Sequence, residues 1–491
     1  MSSNRKGTRS SIEGLDAIHG PSPAVQNIPT TIELNQLQAG RKNTEPQASE
    51  AGIQTDWSLP QTPVDIESRP GSPPRNEILI VQSLTNPPMN KWRFLNAALI
   101  SLSQGMNDSA PGALLPYIEA YYNIDYTTVS LLFVATAIGF ILAAPFTSIL
   151  QTRLARGKVL VLAQTISTIG YAIISSRQTV LTLYKAPFPA VVVSFFLYGL
   201  ATAWSLALNN VFCASLTNAT TLLGAFHGCY GTGGTIGPLI ATVMVSSGAI
   251  WFDYYTILLG FAIANGVAAY FVNRNYESDS ETPLVSDTPS NQPKTAGLIK
   301  AIQKPTTILG ALFIFAYQGA EVSLSGWILS FLLATRPHPP SQSPSLGYVT
   351  SGFWAGVTLG RFLLSHGAHR IGEKLAVMIL TAIAAVLQTA VWLVPNIIGA
   401  SVAVALVGLV LGPIYACAVS IFSRLLNKHE LTSAIAFISA MGSSGGAVAP
   451  FLTGVISQKE GTWVVNPLAI GLFAAMMVAW LTLPRMPKRM E

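Results

Sequence analysis

IIGASVAVALVGLVLGPIYACAVSIFS, residues 397–423, runs its whole length without a charged side chain. As a helix rising about 1.5 Å per residue it is long enough to cross a hydrocarbon core about 30 Å thick. Similar apolar blocks, separated by short polar punctuation, lie at about 94–117, 127–149, 158–176, 189–213, 222–247 and 251–272, and again at 305–334, 347–366, 374–394, 397–424, 430–456 and 464–484. Of the 491 residues 50% are hydrophobic and 10% charged, against roughly 25% charged in a soluble domain. No soluble fold buries that excess. The expected fold is all-α and polytopic, with twelve transmembrane helices in two six-helix bundles.

The blocks set the domain boundaries. Residues 1–90 are polar and rich in Ser, Thr, Pro, Asn and Gln, which predicts a disordered cytoplasmic tail. The N-terminal bundle spans 91–274, a polar linker that begins acidic spans 275–303, the C-terminal bundle spans 304–485, and a short tail covers 486–491. Residues 1–20 hold no apolar stretch of the kind a cleavable signal needs, so the first span acts as its own insertion signal.

Charge fixes the expected orientation. With the amino terminus inside, sixteen Lys and Arg residues near span ends fall on the inner side, among them Lys91, Arg93, Arg153, Arg156, Lys158, Arg274, Arg370, Lys374 and Arg424. The outer loops hold four, Arg177, Lys185, Arg336 and Lys459. The positive-inside bias then puts both termini in the cytoplasm, with the plasma membrane the expected location. The net charge of +6 forms no stripe or cluster, so nucleic acid is not an expected partner. The bilayer, protons and a small solute are, and the chain is expected to act as a monomer. Cys213, Cys229 and Cys417 lie in separate apolar blocks at unrelated spacings, which suggests neither a disulfide frame nor a metal site.

The halves repeat one another. Gln104-Gly105 with Ser109 recurs as Gln318-Gly319 with Ser323, at an offset of 214 residues; Gly139-Phe140 recurs as Gly352-Phe353, at 213; Gly234 and Pro238 recur as Gly446 and Pro450, at 212. A duplicated six-helix unit is the usual basis for two halves that rock about a central site.

Ionisable side chains deep in a bilayer cost about 2.5–3.5 kcal/mol each on insertion scales, so each calls for a function. Asp108 in the first span and Glu321 in the seventh lie at similar depth, and both are candidates for proton coupling. Under the 214-residue offset Glu321 falls opposite Asn107. Gln104 shares a helical face with Asp108, and Gln318 with Glu321. Tyr198, Thr202, Ser205 and Asn209 make a polar stripe along the fourth span and could bind a neutral, hydrogen-bonding solute, or join helices as polar glue. Trp204, Trp327 and Trp354 offer faces for a flat solute, and the candidate solute cavity is taken as Gln104, Asn107, Tyr198, Thr202, Ser205, Asn209, Gln318, Trp327 and Trp354. His227 reads as a packing residue. Arg361 is expected to snorkel to the cytoplasmic face, and with Gly237, Pro238 and Arg370 it forms a gating or structural group.

Enzyme signatures do not survive inspection. Gly442-Ser443-Ser444-Gly445-Gly446 fits a hydrolase expression but lies inside an apolar helix with no preceding strand. The Gly157-Lys158 pair has Thr152 where a phosphate loop needs its first glycine. The chain is expected to be no enzyme and to need no cofactor.

Five stretches carry a shared pattern: Gly105-Met106-Asn107-Asp108 with Gly112-Ala113-Leu114-Leu115-Pro116-Tyr117; His227-Gly228-Cys229-Tyr230-Gly231-Thr232-Gly233 with Gly237-Pro238; Glu321 to Trp327; Gly352-Phe353-Trp354 with Gly360-Arg361; and Gly442 to Ala447. Through them residues 92–484 resemble the major facilitator superfamily, and within it the fungal branch similar to the fucose:proton symporters. It implies the twelve-helix fold, inside termini and a first-helix acid, here Asp108, as proton site. Fucose-type symporters also use a carboxylate in span four, where this sequence has Asn209 and Asn210. Gly233-Gly234-Thr235-Ile236-Gly237-Pro238 partly resembles an antiporter motif. The leading expectation is a secondary, proton-coupled carrier of a small organic solute working by alternating access. An efflux pump for a fungal secondary metabolite is the alternative within transport, and a non-transporting membrane sensor the alternative outside it.

Overall fold

A computed structural model describes residues 82–176, 187–279, 303–339, 341, 343–426 and 431–484. Most of the expected tail, most of the linker and all of the terminal segment 486–491 lie outside the described residues, as do Arg177 and Lys185.

Helices occupy every stretch that the apolar blocks predict. The N-terminal half holds α1 (Asn90–Ser109), α2 (Pro111–Tyr122), α3 (Tyr126–Val129), α4 (Leu131–Arg153), α5 (Arg156–Ser175), α6 (Phe188–Ser215), α7 (Ala219–Ser246), α8 (Asp253–Asn273) and the short α9 (Tyr276–Asp279). The C-terminal half holds α10 (Pro305–Thr335), α11 (Tyr348–Ile371), α12 (Glu373–Leu393), α13 (Ile397–Leu411), α14 (Ile414–Leu425), α15 (Leu431–Glu460) and α16 (Val465–Leu481).

Three predicted spans are broken rods, and the sequence shows where. The first divides into α1 and α2 at Ala110-Pro111, because Pro111 has no N–H to continue the ladder. The second starts with α3, capped by the Asp125 carboxylate on the Thr128 N–H at 2.8 Å. The tenth divides at Gly412-Pro413. Eight of the helical stretches are apolar and long enough to cross a membrane on those grounds alone. The four that fall short are α1 with α2, α7, α11 and α15, all rich in glycine and hydroxyl side chains that let helices pack closely.

Packing follows the repeat. α7 lies along α1 as α15 lies along α10; α6 pairs with α4 as α13 pairs with α11; α8 pairs with α5 as α16 pairs with α12. Between the halves, α7 packs on α11 and α15 on α4, which is one contact made twice. These contacts also correct the register. A Cβ on Gly233 would collide with the Leu102 carbonyl, and one on Gly445 with the Phe315 carbonyl. The two contacts are repeat mates, so α1 and α10 are offset by 213 residues (102 to 315), one fewer than the letters suggest. Asp108, rather than Asn107, is therefore the mate of Glu321. Likewise Gly139, tight against the Phe196 carbonyl, matches Gly356 against the Ala405 carbonyl. A Cβ on Gly352, the expected mate, would sit 3.7 Å from the Ala405 methyl, an ordinary contact.

The halves are sealed at the end bearing Asn123 and Lys459. There α2 packs on α10 and α3 on α15, the Tyr126 N–H donates to Gln458 Oε1 at 3.0 Å, and Gly347 abuts Thr242. Toward the other end α6 and α14 have no comparable packing among the described residues.

Candidate solute and proton site

Near the end of α1 Asp108 is half-buried. Across from it on α7, the Tyr230 hydroxyl donates to Asp108 Oδ2 at 2.8 Å. Tyr198 of α6 and Asn107 also approach the carboxylate. Gly237 and Pro238 lie about two turns beyond Tyr230. A Cβ on Gly237 would press on the Met106 backbone and Ser109 Oγ. That tight fit holds α7 against α1 at the level of the acid.

Glu321, at 5% exposure, is the buried counterpart in α10. Its Oε1 lies 3.6 Å from Arg361 Nη2 of α11, and the Tyr317 hydroxyl, one turn back on α10, stands 3.1 Å from the same oxygen. Arg361 thus turns onto Glu321, and its expected snorkelling to the membrane surface is replaced by an ion pair. The reason is energetic. A buried carboxylate without a partner costs more than the arginine gains from fuller hydration.

The tyrosine that meets Asp108 also touches the other half. The Tyr230 ring meets Trp354 of α11 edge-on at 6.3 Å between centroids. Trp354 is buried, rests against Gly234, and its indole N–H has no partner among the described residues. That unpaired donor is buried where α11 meets α7 of the other half.

The remaining candidates divide. Gln104 is buried, with its carbonyl accepting from the Tyr198 hydroxyl at 3.2 Å, and Thr202 lies beside Tyr198. Gln318 is half-buried above Gly442 and Gly446. These residues stay with the site. Ser205 and Asn209 do not. Ser205 accepts from Gln164 of α5 at 3.3 Å, and Asn209 accepts from Arg156 at 2.8 Å, in a cluster where Arg156 also bonds Asn273 and stacks on Phe212 and Tyr276. That half of the stripe is helix glue. Trp327 is fully buried in the sealed end, its N–H on the Pro450 carbonyl at 2.9 Å and its ring against Tyr126, so it closes the bundle instead of offering a face to solute. Trp204 bonds the Ala143 carbonyl and serves the α4–α6 contact. Arg370 lies exposed on the last turn of α11. Among the described residues no group of His, Cys, Asp and Glu is placed to hold a metal.

Sequence reasoning missed the two tyrosines. Tyr317 precedes Glu321 by one helical turn, a legible spacing. Tyr230 reaches Asp108 across 122 residues, which no local pattern reveals.

Comparison with known proteins agrees with this architecture. The family model described as Major Facilitator Superfamily matches residues 97–337 and 338–491. The chain is 25% identical over 431 residues to Bypass of stop codon protein 6 of Saccharomyces cerevisiae, covering 82% of this chain and 84% of that protein. It is 26% identical over 230 residues to a glucose/galactose transporter of Brucella abortus, covering 45% of this chain and 50% of that one. Two solved structures of the nucleoside transporter NupG match with TM-scores of 0.63 and 0.59 at 14% and 15% identity, covering 79% of this chain and 98% of theirs, a likeness of fold. The chain belongs to the Major Facilitator Superfamily and is an integral membrane secondary transporter of a small molecule, with no enzymatic role.

Proposed function

We propose that this transporter couples movement of a small, polar, hydrogen-bonding solute to protons, with Asp108 as the proton carrier. The observation behind this reading is an asymmetry between two acids. Glu321 is held by Arg361, whereas Asp108 is half-buried and, among the described residues, meets only the neutral partners Tyr230, Tyr198 and Asn107. An intramembrane carboxyl without a cation suits reversible protonation. Tyr230 and Trp354, with Gln104, Thr202 and Gln318 around them, supply the hydroxyl, indole and amide groups that a neutral solute would engage. The sugar and nucleoside carriers among the similar proteins move solutes of this kind, in keeping with a sugar-like or related cargo.

The positive-inside bias supports a sealed end that faces outward, termini and linker in the cytoplasm, and an inward-facing conformation. Twelve crossings and a plasma-membrane location complete the reading. Proteoliposomes under an imposed proton gradient, offered a panel of sugars, nucleosides and secondary metabolites, test it. The reading expects gradient-driven accumulation in the wild type, and Asp108→Asn to lose accumulation while retaining solute exchange. Full accumulation by that variant refutes the assignment of Asp108. The direction of the driven flux separates uptake from export.

A further inference from the structure

At the sealed end, two residues past the expected limit of the first span at residue 117, α2 carries a carboxyl that the transport reading leaves unused. Glu119 is half-buried, and its Oε1 is buried with no hydrogen-bond partner among the described residues. Its carbonyl accepts the Ile124 N–H at 3.2 Å, which ties this turn to the left-handed Asn123 that ends α2. Tyr121 stacks edge-on against Tyr122, Trp251 and Phe252 in the same turn, an aromatic group of the kind found at the level of the lipid headgroups.

Among the described residues, the surroundings of Glu119 hold no cation. α2 itself carries Tyr117, Tyr121 and Tyr122. The loop and α3 bring Asp125 and Tyr126, and α1 brings Asp108 near its far end. α7 over Gly237–Ser246, α10 over Ser323–Leu333 and the turn Pro344–Gly347 present no charged residue, and the start of α11 adds Tyr348. The turn Trp251-Phe252, followed by Asp253, and Phe188 of α6 also meet the α2 tyrosines, and they add no cation among the described residues. α2 is also where the two halves meet, since Gly112 abuts the Ser325 carbonyl of α10, and the neighbouring Tyr126 is bonded to Gln458 of α15. A charge at this point would lack both a partner and full hydration for as long as the seam is closed.

We propose that Glu119 is a second proton-binding carboxyl, which takes up a proton when the halves close over it and releases the proton when that end opens. Burial, helped by the adjacent Asp125 charge, pushes its carboxyl up to about 8. Asp125 is held low by the Thr128 N–H and hydroxyl and stays ionised. The sign follows by linkage. A carboxyl raised in the closed state leaves closure unpenalised below about pH 4.5, its ordinary value, and penalises closure progressively as pH rises toward about 8. Raising the pH should therefore open this end. Because Glu119 is partly exposed, the expected change between pH 5 and 8.5 is on the order of tenfold in the open-to-closed ratio.

The inference is independent of Asp108 being the coupled proton site, and the experiment keeps the two apart. Spin labels at Asn123→Cys and Lys459→Cys, one on each half, with Cys213, Cys229 and Cys417 replaced by alanine, report the opening by pulsed electron resonance in nanodiscs at pH 5 and 8.5. Expected are a shift to longer distances at high pH in the otherwise native chain, the same shift in Asp108→Asn, a shift retained in Glu119→Asp, and none in Glu119→Gln. A full shift in Glu119→Gln overturns the proposal. So does its loss in Asp108→Asn, or a native chain that ignores pH.

Discussion

Removing the cation from Glu321 should cost more than removing the anion from Arg361, and the size of the difference follows from exposure. Arg361→Ala leaves a carboxylate 5% exposed with, among the described residues, only the Tyr317 hydroxyl. Breaking one partner of a buried pair costs about 3–5 kcal/mol. The 3.6 Å separation and the 27% exposure of the Arg361 side chain show that water already shares the pair, so we set the cost at about 2–3 kcal/mol. Glu321→Gln keeps a polar group for Tyr317 and leaves a cation that water can reach, at about 1 kcal/mol. The double variant should recover about 1–2 kcal/mol relative to the sum of the singles, since the stranded charge is gone. Equilibrium unfolding of the purified protein in mixed micelles, followed by tryptophan fluorescence, gives all four corners of the cycle. Equal losses from the two single variants, or strict additivity in the double, would refute the ion pair as the organising contact of the C-terminal half.

Three further outcomes follow from the same geometry. Tyr230→Phe deletes the hydroxyl on Asp108 while keeping the ring on Trp354, so solute-driven proton uptake should fall by about tenfold or more, with folding intact; a hydrogen bond to a charged group is worth about 1.5–3 kcal/mol, and simultaneous recording of internal pH and solute flux checks it. Asn209→Ala should destabilise the bundle by about 1–2 kcal/mol through Arg156 and leave the KM for solute unchanged, which thermal unfolding and transport kinetics separate. Trp327→Ala opens a cavity in the sealed end and should cost about 3–5 kcal/mol, visible as a loss of the closed population in the Asn123 to Lys459 distance distribution.

Hydropathy is a local quantity, and the positions of all the helical stretches were legible for that reason. Even the breaks at Pro111 and Pro413 were available, because proline acts on its own backbone. What was not legible is which neighbour each face meets. The stripe Tyr198, Thr202, Ser205 and Asn209 was correctly read as polar, yet its upper half turns to Asp108 and its lower half to Gln164 and Arg156, residues on another helix. Periodicity supplies a face and not its partner. The repeat register failed in a similar way. Matching letters paired Gly139 with Gly352, whereas the backbone collision that glycine permits occurs at Gly356. Arg361 was judged by its distance from the membrane surface, and the nearer carboxylate on α10 outweighed that.

The corrected register sharpens which acid should move the proton. Asp108 and Glu321 are exact repeat mates, so the ancestral unit offered the same position twice, and any difference between them comes from their neighbours. Tyr230, the donor to Asp108, has Gly442 as its mate at the 212-residue offset of α7 and α15, so Glu321 receives no equivalent hydroxyl from α15. Its donor is Tyr317, whose mate at 213 is Gln104. Glu321 then adds Arg361, and Asp108 adds no cation among the described residues. Two equal positions have thus become a clamped acid and a free one. If that division is functional, Glu321→Gln should impair transport mainly through the conformational change, slowing exchange and net flux alike, whereas Asp108→Asn should spare exchange and remove only proton-driven accumulation. Counterflow and gradient-driven uptake measured side by side on both variants decide the matter. Loss of accumulation with intact exchange in Glu321→Gln would hand the proton to Glu321 and reverse the assignment.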